Sequence, residues 1–359
     1  MLCKHFGVCG GCTVPGVPYP EQLAQKRRAL SRLLGMDVPA LIPSPKESGF
    51  RNKVAFVFGP SGMGHYARGG QKIVHIDECP VHHERGNRIA FALRDHLSRI
   101  PASLLRHVIV RTTDDGREAS AMLVVRRNDK SLRAPVRKFL ASAERPDGFF
   151  INIHDKPGPY MVGEETIKIE GRSHVKEVVE GSSYLVSPTA FFQTNVGAAA
   201  ELVKLVTASV GDAKRVLDLY CGSGLFSLPL AKGGATVTAV EENRQAIADA
   251  EANVLINKLP AGRVRFLTSR VEDALARVGR DPWDAVILDP PRQGCPPPVI
   301  TGIFDRIRPP KVVYVSCNPD ALATELPLIL KTGYRVGSVQ PVDMFPHTEH
   351  IETVMVFTR

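Results

Sequence analysis

From about residue 190 onward, short apolar runs alternate with helical patterns, and this alternation restricts the possible folds more than any other feature of the chain. The runs lie at 216–219, 236–240, 264–267, 285–288 and 312–315. Segments of roughly 10–15 residues with helical periodicity separate them. Apolar strands joined by helices predict an open, mainly parallel sheet covered by helices, an α/β fold of Rossmann-like type. Ligands in such sheets bind at the carboxyl ends of the strands. The residues directly after each run are therefore the candidates for chemistry.

The first half has a different texture. A basic amphipathic helix is predicted over 20–35, with Leu23, Leu30, Leu33 and Leu34 near one face, Lys26, Arg27 and Arg28 among them, and Pro20 and Gly35 as punctuation. Residues 50–78 read as short strands and turns, with Val54, Phe56 and Phe58 alternating, a turn at Gly59-Pro60-Ser61-Gly62 and a run from Ile73 to Ile76, and a hairpin is predicted over 105–127 around Asp114-Asp115-Gly116. Helices at 84–99 and 132–143 and strands at 149–154, 166–170 and 184–186 complete a β-rich α+β half. The chain is thus expected to divide into 1–187 and 188–359, with the helix at 20–35 a candidate to pack on the second part.

The 46 Lys+Arg against 37 Asp+Glu give a net charge of +9. That balance favours a polyanionic partner, although a basic bias without function is as common. Aromatic residues make up 6%, with Trp283 the single tryptophan, which argues against an extended stacking platform for single strands. No apolar run approaches the ~18 residues that span a bilayer. The start of the chain has no apolar secretory segment, so a cytoplasmic protein without membrane attachment is expected.

Seven cysteines, an odd number in a long chain, argue against a disulfide framework. Cys3, Cys9 and Cys12 are spaced C-x5-C-x2-C in a glycine-rich stretch, and Cys79 stands alone before Pro80. Four converging thiolates suit a structural zinc or an iron–sulfur cluster, and the expanded spacing favours the cluster. The alternative is a redox C-x-x-C with two incidental cysteines. Cys221 and Cys295 receive no essential role.

The first run of the second half leads into Asp218-Leu219-Tyr220-Cys221-Gly222-Ser223-Gly224. Two glycines one residue apart permit close approach of a ligand to the backbone. Glu241, at the end of the second run, can accept bonds from a ribose. Ser227 stands where a dinucleotide fingerprint needs glycine. The form looks like motif I of S-adenosylmethionine-dependent methyltransferases. The fourth run ends in Asp289-Pro290-Pro291-Arg292, where Arg292 replaces the aromatic residue usual in amino-group methyltransferases. The fifth ends in Ser316-Cys317-Asn318-Pro319. Cys317 is placed as a nucleophile whose thiolate a helix start would favour, or as a buried structural cysteine. His347, Glu349, His350 and Glu352 crowd into six residues, which suits a metal site, a solvated loop or a general base.

Together these motifs resemble the TrmA/RumA family of RNA uracil-C5 methyltransferases. Phe191-Phe192-Gln193-Thr194-Asn195 is similar to the family's F-x-Q-x-N segment, and Phe50-Arg51-Asn52-Lys53 to the start of its central RNA-binding domain. The resemblance implies that Cys317 adds to C6 of a uracil, that Glu352 removes the C5 proton, and that Asp289 orients the reacting groups. It implies that Gln193, Tyr220, Gly222, Gly224 and Glu241, with Asp289, surround S-adenosylmethionine. It makes Cys3, Cys9, Cys12 and Cys79 the ligands of a [4Fe-4S] cluster in a 1–187 RNA-binding domain. Because the cysteines begin at residue 3, no TRAM β-barrel is expected before them. That pattern is similar to the RlmC branch, so the expected partner is 23S rRNA, with tRNA second, and the expected state a monomer. Lys53, Arg68, Arg126, Arg127 and Lys130 are candidate phosphate contacts. Leu225 and Arg270 depart from the family pattern near the cofactor. A ribosome-assembly protein that keeps the fold without turnover is the rival reading.

Overall fold

The structure is a computed structural model. It describes residues 3–14, 16–60, 62–156, 158, 160–279 and 281–359. Helix α1 (Tyr19–Leu34) starts with proline in its first turn and stops at Gly35, whose φ of 65° lets its N–H return to the Ser31 carbonyl.

The first sheet has seven strands, β1 (Lys53–Gly59), β2 (Gly62–Tyr66), β3 (Ile73–His75), β4 (Leu105–Thr112), β5 (Ala119–Val125), β6 (Gly148–Ile153) and β7 (Glu165–Gly171), in the order β3-β2-β1-β4-β5-β6-β7. Its pairings are antiparallel except β5–β6. That parallel step requires a crossover, and α3 (Arg133–Leu140) supplies it. With α2 (Glu84–His96) it covers one face, packing Val54, Phe56, Val108 and Leu123 into a core. The sequence missed one strand of the first half. Hairpin β8 (Val175–Val179) and β9 (Ser182–Val186) stands apart from this sheet.

In the second half α4 (Val196–Val210) precedes β10 (Arg215–Leu219), α5 (Ser227–Lys232), β11 (Thr236–Glu241), α6 (Arg244–Ile256), β12 (Val264–Thr268), α7 (Val271–Val278) and β13 (Ala285–Leu288). Then come α8 (Pro297–Thr301), β14 (Lys311–Ser316), α9 (Pro319–Lys331), β15 (Arg335–Val342) and β16 (Glu352–Thr358). The sheet order is β12-β11-β10-β13-β14-β16-β15, parallel through β14 and antiparallel in the last two. All five predicted runs are strands, and apolar cores cover both faces. The order reverses at β10, so a crevice opens beyond the carboxyl ends of β10 and β13.

Helix α1 lies on this second sheet, where Leu30 and Leu34 join Leu217, Leu288 and Tyr314 in one core. Its Lys26 Nζ donates to Asp343 Oδ1 at 2.7 Å and to the Phe345 carbonyl at 3.1 Å. Both charges are buried, Lys26 at 4% and Asp343 at 0% exposure. Lys26→Met is expected to strand the Asp343 carboxylate and cost about 3–5 kcal/mol in urea unfolding. Adding Asp343→Asn should return part of that loss; a fully additive double variant would show that the two are not coupled. Among the described residues no helix is long and apolar enough to cross a membrane.

Candidate active site

A cleft of about 1230 Å³ lies at the reversal point. Gln193, Tyr220, Gly222, Glu241, Asp289, Cys317 and Glu352 all line it. Of the expected cofactor residues, Gly224 alone is not on its wall. Gly224 adopts φ +87°, and an added Cβ would run into Leu228. Its lack of a side chain therefore serves the turn and the packing of α5.

The cofactor side is built on the end of β10. Tyr220 holds a left-handed φ of 64°, uncommon for a non-glycine residue, which ends the strand abruptly at the cleft. The Gly222 N–H donates to Glu241 Oε2 at 3.2 Å and the Asn243 N–H to Oε1 at 2.8 Å. Glu241 is thus oriented before any ligand arrives. Asp218 is buried; its Oδ2 accepts from the Ser227 hydroxyl at 2.5 Å while Oδ1 has no partner. Burial first, and then Glu241, push its carboxyl up to about 7, against the pull of Ser227. Tyr220 Oη is also buried without a partner. The oriented Glu241 carboxylate on the cleft wall fits a ligand carrying ribose hydroxyls, whereas Asp218 lies behind the wall. At the two departures, Leu225 faces the cleft, and Arg270 pairs with Glu272 at 3.4 Å.

The reacting side lies across the next strand ends. β14 and β16 pair antiparallel with Ser316 opposite Thr353 as the last pair, and Cys317 and Glu352, one residue beyond it on each chain segment, both line the cleft. Burial, then Glu352 and Asp289, push the Cys317 thiol up to about 11, while Arg292 pulls it down. The expected helix-start stabilisation of a thiolate does not prevail. The α9 cap is made by Asn318, which accepts from the Asp320 N–H, and burial beside two carboxyls outweighs it. Burial and Asp289 also hold Glu352 well above the usual carboxylate range, again opposed by Arg292. Asp289 itself is raised to about 7, by burial first and then by Asp218 and Glu241.

The C-terminal group of His and Glu sorts by environment. His347 Nε2 lies 2.9 Å from the Glu47 carbonyl and Nδ1 3.1 Å from Gln22 Nε2. One neutral tautomer satisfies both, with Nε2–H donating and Nδ1 accepting, so His347 is structural. Its N–H donates to Gln22 Oε1 at 2.8 Å, and its carbonyl accepts from the N–H groups of Thr13 and Val14. The Glu349 N–H donates to Thr13 Oγ1 at 3.0 Å. The loop before Glu352 is therefore clamped by α1 and by the cysteine-rich N-terminal segment. Sequence reasoning missed these clamps, because Gln22 and His347 are 325 residues apart.

Cys3, Cys9, Cys12 and Cys79 line a second cavity, of about 670 Å³, and none forms a disulfide. Cys9 bridges to Ala67 and the Gly10 N–H donates to the Tyr66 carbonyl, which lays the N-terminal loop against β2. All four thiols face this one cavity, and as soft donors they suit a thiophilic centre, but no three of them lie within 4.8 Å of one another, so the set fits a cluster and not a single ion. His65 and His82, which the sequence did not single out, place a ring nitrogen within 4.8 Å of each other and of Cys79 Sγ. Among the described residues no other three His, Cys, Asp or Glu side chains gather closely enough to hold a single metal ion. The C-terminal group is thus not a metal site. Of the candidate phosphate contacts, Arg68, Arg126, Arg127 and Lys130 are exposed, whereas Lys53 faces the cysteine cavity and burial lowers its ammonium to about 8.

The family model for tRNA (Uracil-5-)-methyltransferases matches residues 162–359. The chain belongs to this family. It is an S-adenosylmethionine-dependent RNA uracil-C5 methyltransferase, as its likeness to full-length relatives confirms. A tRNA (uracil(54)-C(5))-methyltransferase of Pyrococcus abyssi is 33% identical over 363 residues, covering 98% of this chain and 84% of the relative. An uncharacterised RNA methyltransferase of Thermosynechococcus vestitus is 32% identical over 378 residues, covering 99% and 83%. The crystal structure of the Pyrococcus abyssi tRNA (uracil-54, C5)-methyltransferase in complex with S-adenosyl-L-homocysteine superposes with a TM-score of 0.84 at 30% identity, covering 97% of this chain and 86% of that one.

Proposed function

We propose that this methyltransferase acts through a covalent adduct between Cys317 and C6 of a uridine, with Glu352 as the general base at C5. The convergence of Cys317 and Glu352 on one cleft, each one residue beyond the last β14–β16 pair and sharing the wall with Asp289 and Arg292, carries the reading. Uracil C5 is a weak nucleophile, so the ring needs activation. The Cys317 thiolate adds to C6, and the C5–C6 π electrons move toward the O4 carbonyl as an enolate. When bound, S-adenosylmethionine supplies an electrophilic methyl group. Asp289, Glu241 and the β10 turn would align C5 with it, and C5 would take the methyl as the sulfonium–methyl bond breaks and its electron pair stays on sulfur, leaving S-adenosylhomocysteine. Glu352 then accepts the C5 proton, the C5–C6 double bond re-forms, and the Cys317–C6 bond breaks. The uridine must leave its stack to enter the cleft. 5-Fluorouridine RNA, which has no C5 proton to lose, should therefore stop as a methylated Cys317 adduct that survives denaturing electrophoresis. An amino-group methyltransferase would leave no such adduct.

The paired shifts at Cys317 and Glu352 set a pH dependence. Both hold protons to higher pH than the free side chains, and both must lose them to act. Thus kcat/KM for RNA should rise with pH across the neutral range, its acid limb above the ordinary carboxylate value. Arg292 favours both charged forms. Arg292→Met should therefore move that limb to higher pH, and Arg292→Lys should restore it. A limb that stays in place would remove Arg292 from the reacting pair.

The four-cysteine pattern resembles the branch of the family that modifies rRNA, so 23S rRNA is the first substrate and Cys3, Cys9, Cys12 and Cys79 the ligands of a [4Fe-4S] centre in the N-terminal half. The Pyrococcus relatives named for tRNA uracil-54 favour tRNA as the second. Mapping 5-methyluridine in both RNAs from a deletion strain decides between them. Iron in the anaerobically purified protein supports the cluster. Zinc that survives Cys12→Ser would place the metal on Cys79, His65 and His82 instead. The exposed Arg68, Arg126, Arg127 and Lys130 would carry phosphate contacts, read as a shallower salt dependence when each is neutralised.

A further inference from the structure

The cysteine cavity and the catalytic cleft share a wall, and Arg51 stands in it. Arg51, Gly10, Gly11, Thr13, Phe191 and Thr194 line both spaces. The backbone of Arg51 is fixed to the segment just after Cys79. Its N–H donates to the Val81 carbonyl and its carbonyl accepts from the His83 N–H, both at 2.9 Å. On the other side its guanidinium carbon lies 6.0 Å from the ring centre of Phe345, a residue of the clamped loop that lines the cleft.

The guanidinium forms no ion pair with any described carboxylate, and its Nε is buried without a hydrogen-bond partner. A buried cation left alone is costly, and Arg292, of like charge, adds to the cost. The thiols and carboxyls able to form anions that share the cysteine cavity with Arg51 are Cys3, Cys9, Cys12, Cys79 and Glu78. Four thiolates around a doubly charged metal centre keep two net negative charges, which a buried cation balances.

We propose that Arg51 is the buried counter-cation of the four-cysteine metal centre and, through Phe345, a positioning residue that ties that centre to the RNA side of the cleft. This rests on the four-cysteine reading above. Its consequence is that the centre and the catalytic loop are not independent: the charge that holds one also shapes the wall of the other.

The test compares anaerobically purified full-length wild type with Arg51→Gln, which removes the charge, and Arg51→Lys, which keeps it. Metal content, the rate of metal loss to a chelator, the midpoint potential where the metal is iron, KM for an RNA transcript and affinity for S-adenosylhomocysteine are read on each. Arg51→Gln is expected to lose metal about tenfold faster, as removal of an outer partner of a metal site typically does. Its midpoint potential should be more negative and its KM for RNA higher, with S-adenosylhomocysteine affinity unchanged. Arg51→Lys should recover metal retention. Wild-type retention and potential in Arg51→Gln would overturn the counter-cation role, and a raised KM alone would make Arg51 an RNA contact only. Wild-type protein purified without metal would instead overturn the four-cysteine reading, and the inference with it.

Discussion

Cys317→Ala is expected to lower the single-turnover rate of methyl transfer by about 10⁴-fold or more, because the other two thiols of the cleft, Cys221 and Cys295, are buried and burial holds their protons on. The prediction has an internal control. Cys317 sits on the reacting side, away from the Gly222–Glu241–Asn243 arrangement that orients the cofactor carboxylate. Affinity for S-adenosylhomocysteine should therefore stay near wild type. Stability should also change little, since the thiol is only partly buried and the β14–β16 pairing does not depend on it. A structural cysteine makes the opposite prediction, lost stability with activity kept. Cys317→Ser should be as inactive as alanine, because a hydroxyl in a site that already raises a thiol to about 11 will not ionise. Methyl transfer by Cys317→Ala within tenfold of wild type would end the covalent mechanism.

The parts of this site that could be read from sequence are those whose signal is local. Four of the five strand runs, β10, β11, β13 and β14, are buried along most of their length, and Tyr220, Glu241, Asp289 and Cys317 stand at or directly after their ends, whereas β12 at the edge is partly exposed. Motif order then carried Cys317 and Asp289 to the cleft. Lys53, the first of the five candidate phosphate contacts, illustrates the limit: as sequence it is a surface cation, yet the fold turns it toward the cysteine cavity. Strand β8 was lost because its alternation is carried by Val175, Glu177 and Val179, with a carboxylate at the central inward position. The largest omission concerns what α1 holds, for the helix itself was legible. Gln22 and Lys26 are 1% and 4% exposed and hold the loop that precedes Glu352. Their partners lie more than 300 residues away, so no periodicity or spacing could report them. The same holds for Arg51, whose neighbours come from both ends of the chain.

Glu352→Gln should separate the steps that alanine at 317 merges. The amide keeps the size of the carboxyl, and the side chain is 3% exposed, so the fold has no cavity to absorb. What is lost is the acceptor for the C5 proton. Cys317 can still add to C6 and C5 can still take the methyl, but elimination needs that proton removed. The methylated adduct should therefore accumulate on ordinary uridine RNA, without the fluorine that stalls the wild-type enzyme. Overall turnover should fall by about 10²–10⁴-fold, the range that loss of a general base usually costs. The neutral amide also removes a negative neighbour that holds the Cys317 proton. Adduct formation in Glu352→Gln should then reach its maximum at lower pH than wild-type turnover does. A band bearing both protein and RNA, labelled from the methyl donor and absent in Cys317→Ala/Glu352→Gln, is the expected result. Turnover that falls with no methylated adduct would place Glu352 before methyl transfer, as the group that first takes the Cys317 proton, rather than at C5.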